Sequence, residues 1–206
     1  MSRDTLVIVP VKDPAQAKTR LSPVLAPPRR AEIARVLLGR SLSLLSELRA
    51  ELGFGLAVVT PSAEIASKAR KAGALALPDP GRGLNAALDA AARHAADEGY
   101  AQICVLPADL AAPRAEDIRR IIAFPRSPRS VLICPAKDGG TNALRLAPGA
   151  IAFHYGPRSA ERHALAAQSA GLTPVILPLA SLAEDVDTVR DLTRAAHLAP
   201  ELRGFA

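Results

Sequence analysis

The sequence predicts an α/β fold built on a mainly parallel sheet with helices on both faces, a three-layer α/β/α sandwich, and three observations predict it. The run TLVIVP near the amino terminus holds Val7, Ile8 and Val9 in one unbroken apolar, β-branched stretch, as in a strand buried on both faces. Similar runs recur at 55–60 (GLAVVT), 102–107 (QICVLP) and 130–136 (SVLICPA). Stretches with helical apolar spacing separate them, so right-handed βαβ crossovers would coat both sheet faces.

Each element follows from local signals. After the first strand, Pro27 and Pro28 precede a crossover helix expected from about Arg29 to Leu52, with Ile33, Val36, Leu37, Leu44, Leu48 and Leu52 on one face. Ser62 is placed to cap a helix that Gly73 ends. ALAL at 74–77 reads as a short strand, PDPGRG at 78–83 as a loop, and LNAALDAAARHAADEG at 84–99 as an Ala-rich helix. A helix from about Pro113 to Phe124 opens with acidic residues, which suit a helix amino terminus. Strands are expected at 142–147 and 174–179, with helices between Ser159 and Gly171 and from near Thr188.

Composition narrows the classes. The 206 residues are 49% apolar and 22% charged, which fits a single domain over 1–206 with an aliphatic core. The net charge of +6 suits anionic ligands. Nucleic acid is not expected, because single-strand binders stack bases on aromatic side chains and only 3% of this chain is aromatic. Cys104 and Cys134 lie inside apolar runs and read as core residues, not as a disulfide or zinc pair. The apolar start is too short for a signal peptide and no segment approaches a membrane span, so a cytoplasmic protein is expected.

Candidate chemistry clusters at predicted strand ends. Lys12, Lys18 and Arg20 fall in the loop after the first strand, where ligands of open α/β sheets bind, and suit a polyphosphate; a solvated basic loop is the alternative. Asp109 follows the 102–107 strand and could hold a divalent cation or cap the next helix. Asp185 and Asp187 in EDVDT pose the same choice. GGTNAL offers backbone N–H groups and the Thr141 hydroxyl, though a plain hairpin turn explains its glycines equally. Gly156 and Ser159 sit where a loop enters a helix, a place that attracts anions, with Arg158 as a charge partner; Ser159 as a plain N-cap is the alternative. Gly83 lets backbone approach a planar base, and Asn85 could pair with a purine edge or merely begin its helix.

Four ordered segments carry a family resemblance: PVK with AKTRLS after the first strand, GLNAAL at 83–88, GGTNAL at 139–144 and YGPRSAERH at 155–163. Together they resemble the CofC/FbiD guanylyltransferases of coenzyme F-420 biosynthesis. The resemblance implies a nucleotide-diphospho-sugar transferase-like fold and transfer of GMP from GTP to a small phosphorylated carboxylic acid with release of pyrophosphate. Phosphoenolpyruvate is the expected acid, from the GGT and GPxS spacing, with 2-phospho-L-lactate and 3-phospho-D-glycerate as alternatives. It further implies Mg²⁺ on Asp109 and one of Asp187 and Asp185, with Asp187 favoured. Lys12, Lys18 and Arg20 would grip the triphosphate, Gly83 and Asn85 would lie near guanine, and Thr141, Gly156 and Ser159 would meet the acid. One departure is visible, since Asp109-Leu110 is followed by Ala-Ala before Pro113 instead of by Pro directly. A homodimer, and handover of a labile product to the next enzyme, are compatible with the resemblance. A molybdopterin guanylyltransferase would normally show a Gly-rich first loop, which this sequence lacks. A non-catalytic basic binding domain is the remaining rival.

Overall fold

A computed structural model describes residues 4–125 and 127–205. Its strands are β1 (Thr5–Pro10), β2 (Gly55–Thr60), β3 (Leu75–Pro78), β4 (Gln102–Val105), β5 (Ser130–Pro135), β6 (Thr141–Leu146) and β7 (Thr173–Ile176). The helices are α1 (Pro27–Leu52), α2 (Ala63–Lys71), α3 (Leu84–Asp97), α4 (Ala115–Ala123), α5 (Ser159–Ser169) and α6 (Val189–Leu198). The strands form one sheet ordered β3-β2-β1-β4-β6-β5-β7. All neighbours are parallel except β6, which runs antiparallel to both β4 and β5.

Strand alternation builds two apolar layers. Val7, Val9, Leu56 and Val58 point to one face, where they join Leu38, Leu42, Leu45, Ile65 and Ile118 from α1, α2 and α4. Leu6, Ile8, Ala57 and Val59 point to the other and meet the alanines of α3 and Ala167 of α5. That is the expected three-layer sandwich. Cys104 and Cys134 lie in the first of these layers as free thiols, and burial pushes Cys104 up to about 12. Among the described residues, no helix is long and apolar enough to cross a membrane.

The structure corrects some boundaries and one face. α1 begins at Pro27, because the prolines occupy first-turn positions whose N–H groups have no helical partner. Its buried stripe includes Leu38, Leu42 and Leu45, whereas Val36, Leu44 and Leu52 are only partly buried. The reason is that α1 packs against the sheet, α4 and the carboxyl-terminal segment together, so its covered arc is broader than one seam. α4 starts at Ala115, later than expected, and β7 ends at Ile176.

The sheet order places the functional rim. The chain adds β2 and β3 on one side of β1, then returns through α3 to lay β4 on the other side. A crevice opens where the direction reverses, beyond the carboxyl ends of β1 and β4. The β5–β6 hairpin reaches the same rim, because Leu144 pairs with Val105 and Thr141 therefore lies past the end of β4.

Candidate active site

Beyond β1 the chain makes two short 3₁₀ turns, at Pro14–Gln16 and Thr19–Leu21. Lys18 between them adopts a left-handed backbone, φ 53° and ψ 40°, a conformation that costs a non-glycine residue about 1–2 kcal/mol. Two contacts hold it there. Arg30 of α1 donates to the Ala17 carbonyl at 3.4 Å, and the Leu21 N–H closes a turn onto the Lys18 carbonyl at 3.0 Å. Leu21 is fully buried beside Ile33, Leu37 and Val186, so one apolar anchor fixes the basic loop against the EDVDT segment. Nothing in the local pattern around Arg30 marks that supporting role.

The loop after β4 is pinned to the same segment. Val186 N–H donates to the Asp109 carbonyl at 3.0 Å, and Ala111 N–H to that of Glu184 at 3.0 Å, flanking an antiparallel bridge between Leu110 and Asp185. Carboxylate oxygens of Asp109, Asp185 and Asp187 thereby come within 4.8 Å of one another. Neither Asp109 nor Asp187 caps a helix: α4 begins six residues after Asp109, and α6 is capped by Thr188 in a capping box with Asp191.

Lys18 enters this acidic group. Its Nζ lies 2.6 Å from Asp109 Oδ2 and 3.2 Å from Asp187 Oδ1, with its side chain only 6% exposed. Burial by itself disfavours the ammonium, but the charges and hydrogen bonds of Asp109 and Asp187 outweigh it and hold Lys18 above its ordinary pKa. Arg20 approaches Asp187 Oδ2 at 3.4 Å and is 70% exposed, and Lys12 is exposed further back on the same loop. Asp185 is pushed up to about 6, first by burial and then by the neighbouring Asp187 and Asp109. Three carboxyl groups this close, with the charge of Asp185 disfavoured by burial and by its neighbours, fit a hard divalent cation such as Mg²⁺. Lys18, Arg20, Asp109, Asp185 and Asp187 are thus brought together from three separated parts of the chain.

The second half of the site is a hydroxyl and imidazole cluster. Gly139 and Gly140 do form a hairpin turn, with Gly139 N–H bonded to the Ala136 carbonyl at 3.1 Å. That turn also clamps α5, whose Ala160 N–H donates to the Gly139 carbonyl at 3.2 Å. Ser159 is the first residue of α5 and not its cap; its Oγ donates to Thr141 Oγ1 at 3.0 Å, and both residues are buried. His163, one turn further along α5, places Nδ1 3.0 Å from Thr141 Oγ1. A histidine inside a helix carries no distinctive local signal, so the sequence motifs give His163 no role. Gly156 has φ 132°, open to glycine and strained for other residues, where the chain turns toward α5. Arg158 points away: its side chain is 76% exposed and pairs with Glu161 at 2.5 Å.

Gly83, φ 90°, stands at the amino end of α3 on the same rim. Asn85 is engaged internally, accepting from Tyr155 N–H at 2.8 Å and donating Nδ2–H to the Tyr155 carbonyl at 3.3 Å. It couples α3 to the loop carrying Gly156, a bond that a purine-edge assignment does not anticipate.

The sheet is covered by helices on both faces, and its switch point brings Lys18 and Arg20 beside the clustered carboxylates of Asp109, Asp185 and Asp187. A crystal structure from Desulfovibrio desulfuricans described as a nucleotide-diphospho-sugar transferase shares the fold, with TM-score 0.75 and 21% identity over 100% of this chain and 99% of that one. Residues 5–196 match the model of the guanylyl transferase CofC-like family, and the chain belongs to that family. The 3-phospho-D-glycerate guanylyltransferase of Colwellia psychrerythraea is 35% identical over 94% of this chain and 92% of its own length. The phosphoenolpyruvate guanylyltransferase of Rubrobacter xylanophilus is 36% identical over 91% of each.

Proposed function

We propose that this chain transfers GMP from GTP to phosphoenolpyruvate, releasing pyrophosphate and leaving enolpyruvyl-diphospho-guanosine, a step of coenzyme F-420 biosynthesis. The observation that carries the reading is the convergence of Lys18 and Arg20 with Asp109, Asp185 and Asp187 on the rim between β1 and β4. A phosphate oxygen of the acid attacks the α-phosphorus in line; a new P–O bond forms as the bond to the β-phosphate bridging oxygen breaks, and pyrophosphate departs with the electron pair. No enzyme nucleophile is required, because a phosphate monoester with a second pKa of about 6 is already anionic at neutral pH.

Catalysis is then positioning and charge stabilisation. Asp109, Asp187 and Asp185 would hold Mg²⁺, which when bound offsets negative charge on the phosphates. Lys18 keeps Asp109 and Asp187 facing each other across its ammonium, while the exposed Arg20 and Lys12 are available to the triphosphate. Thr141, Ser159 and Gly156 would receive the phospho-acid, and Gly83 would border the guanine.

A second acid is favoured by a specific observation. Relatives named for 3-phospho-D-glycerate match as well as those named for phosphoenolpyruvate, at 35% and 36% identity. Both acids offer one carboxylate and one phosphate to the same pocket. Incubating the protein with GTP, Mg²⁺ and each acid in turn, 2-phospho-L-lactate included, and measuring pyrophosphate separates them. The expected result is release with phosphoenolpyruvate; release only with 3-phospho-D-glycerate would transfer the assignment to that acid.

A further inference from the structure

We propose that His163 is a positioning residue whose tautomer makes the Thr141–Ser159 hydroxyl pair present a proton donor to an anionic group of the phospho-acid. The inference rests on the acid pocket proposed above, but its first step is independent of it. His163 is fully buried, and its Nε2 accepts from the His154 backbone N–H at 3.0 Å. A nitrogen that accepts cannot carry the proton, so in the neutral ring the N–H is on Nδ1, which faces Thr141 Oγ1 at 3.0 Å. Burial keeps the ring neutral, pulling its pKa down to about 4, with the nearby His154 and Arg162 adding to the effect. The edge of the Tyr155 ring, 5.0 Å away and inclined at 71°, restrains the imidazole plane.

The two hydroxyls own two protons, and one is used in the 3.0 Å bond between Ser159 Oγ and Thr141 Oγ1. Because the imidazole donates to Thr141, neither hydroxyl proton is needed by the ring. One therefore remains directed away from His163 as a donor. With the opposite tautomer, Thr141 would donate to Nδ1 and Ser159 to Thr141, and only lone pairs would face the ligand. Lone pairs repel a carboxylate or phosphate, whereas a fixed O–H donor attracts it. The His154 backbone N–H thus sets the polarity of two hydroxyls through one ring.

The test compares wild type with His163→Leu, His163→Asn and Thr141→Val in pyrophosphate release, titrating acid and GTP separately. For His163→Leu the KM for the acid should rise about 10- to 100-fold, the range set by leaving one polar contact unmade. The KM for GTP should stay within about twofold, since that ligand does not use this hydroxyl pair. His163→Asn, with an amide N–H near the former Nδ1, should recover most of the acid affinity. Adding Thr141→Val to His163→Leu should cost little more. Equal KM changes for both substrates, or an asparagine variant no better than leucine, would overturn the proposal. On the free wild-type protein, ¹⁵N spectra of the imidazole should show Nδ1 protonated and Nε2 bare at neutral pH; the reverse tautomer would overturn it even if no acid proved to be a substrate. Absence of pyrophosphate from wild type with every acid would instead refute the functional reading.

Discussion

Lys18 concentrates the chemistry of the site in one side chain. It sits in a strained backbone conformation, buried, with two carboxylates as partners. Removing it leaves Asp109, Asp185 and Asp187 repelling one another, so Lys18→Ala should lower the stability of the metal-free protein by about 1–3 kcal/mol, measurable as a shifted urea midpoint. Added Mg²⁺ should then raise the melting temperature of the variant more than that of wild type, because the cation replaces the missing ammonium. His163 supplies a pH signature. Its folded pKa of about 4 lies below the ordinary 6.5, so its contribution is present above pH 6.5 and lost as pH falls toward 4, by about 3 kcal/mol. Asp185, raised to about 6, acts in the opposite sense over the same window. Subtracting the pH profile of His163→Asn from that of wild type isolates the histidine; a difference independent of pH would contradict its buried, neutral state. At this scale the sequence reveals which residues are chemically capable, but not which way they face. Arg158 and Asn85 show the gap: one turns to Glu161 and solvent, the other to the Tyr155 backbone.

Among elements, legibility tracked burial and capping. β1, β2 and α2 carry unbroken apolar runs or a capping serine, and their observed limits fall within two residues of the expectation. The hairpin turn offered by Gly139 and Gly140 makes an antiparallel β5–β6 pair legible, but the antiparallel pairing of β6 with β4 is not, because all six residues of β6 are buried and such a run looks the same in either direction. The buried face of α1 was misplaced, since contacts with distant segments decide which leucines are covered. The amino end of α6 carries its own signal: Thr188 accepts from Asp191 N–H at 3.3 Å, and Asp191 returns a bond to Thr188 N–H at 2.8 Å. Thr188→Ala should therefore cost about 1 kcal/mol, read as a lower urea midpoint with an unchanged slope. Because the cap adjoins Asp187, the same variant should also weaken Mg²⁺-dependent thermal stabilisation. An unchanged midpoint would show that α6 does not depend on the capping box.

In the whole molecule, function emerges from topology. Lys18 meets carboxylates 91 and 169 residues away, contacts that no local pattern encodes. What the sequence does carry is the rule that ligands gather beyond strand carboxyl ends where the sheet order reverses, which puts Lys18, Arg20 and Asp109 on one rim. It could not supply the Leu110–Asp185 bridge that carries the EDVDT segment there. The proposed activation of GTP for attack depends on the convergence of these cations and carboxylates. Asp109→Asn tests it most directly: pyrophosphate release from GTP, Mg²⁺ and the preferred acid, with the melting temperature recorded alongside. Turnover should fall by at least ~100-fold with the fold retained; an asparagine variant that turns over at the wild-type rate would contradict that dependence.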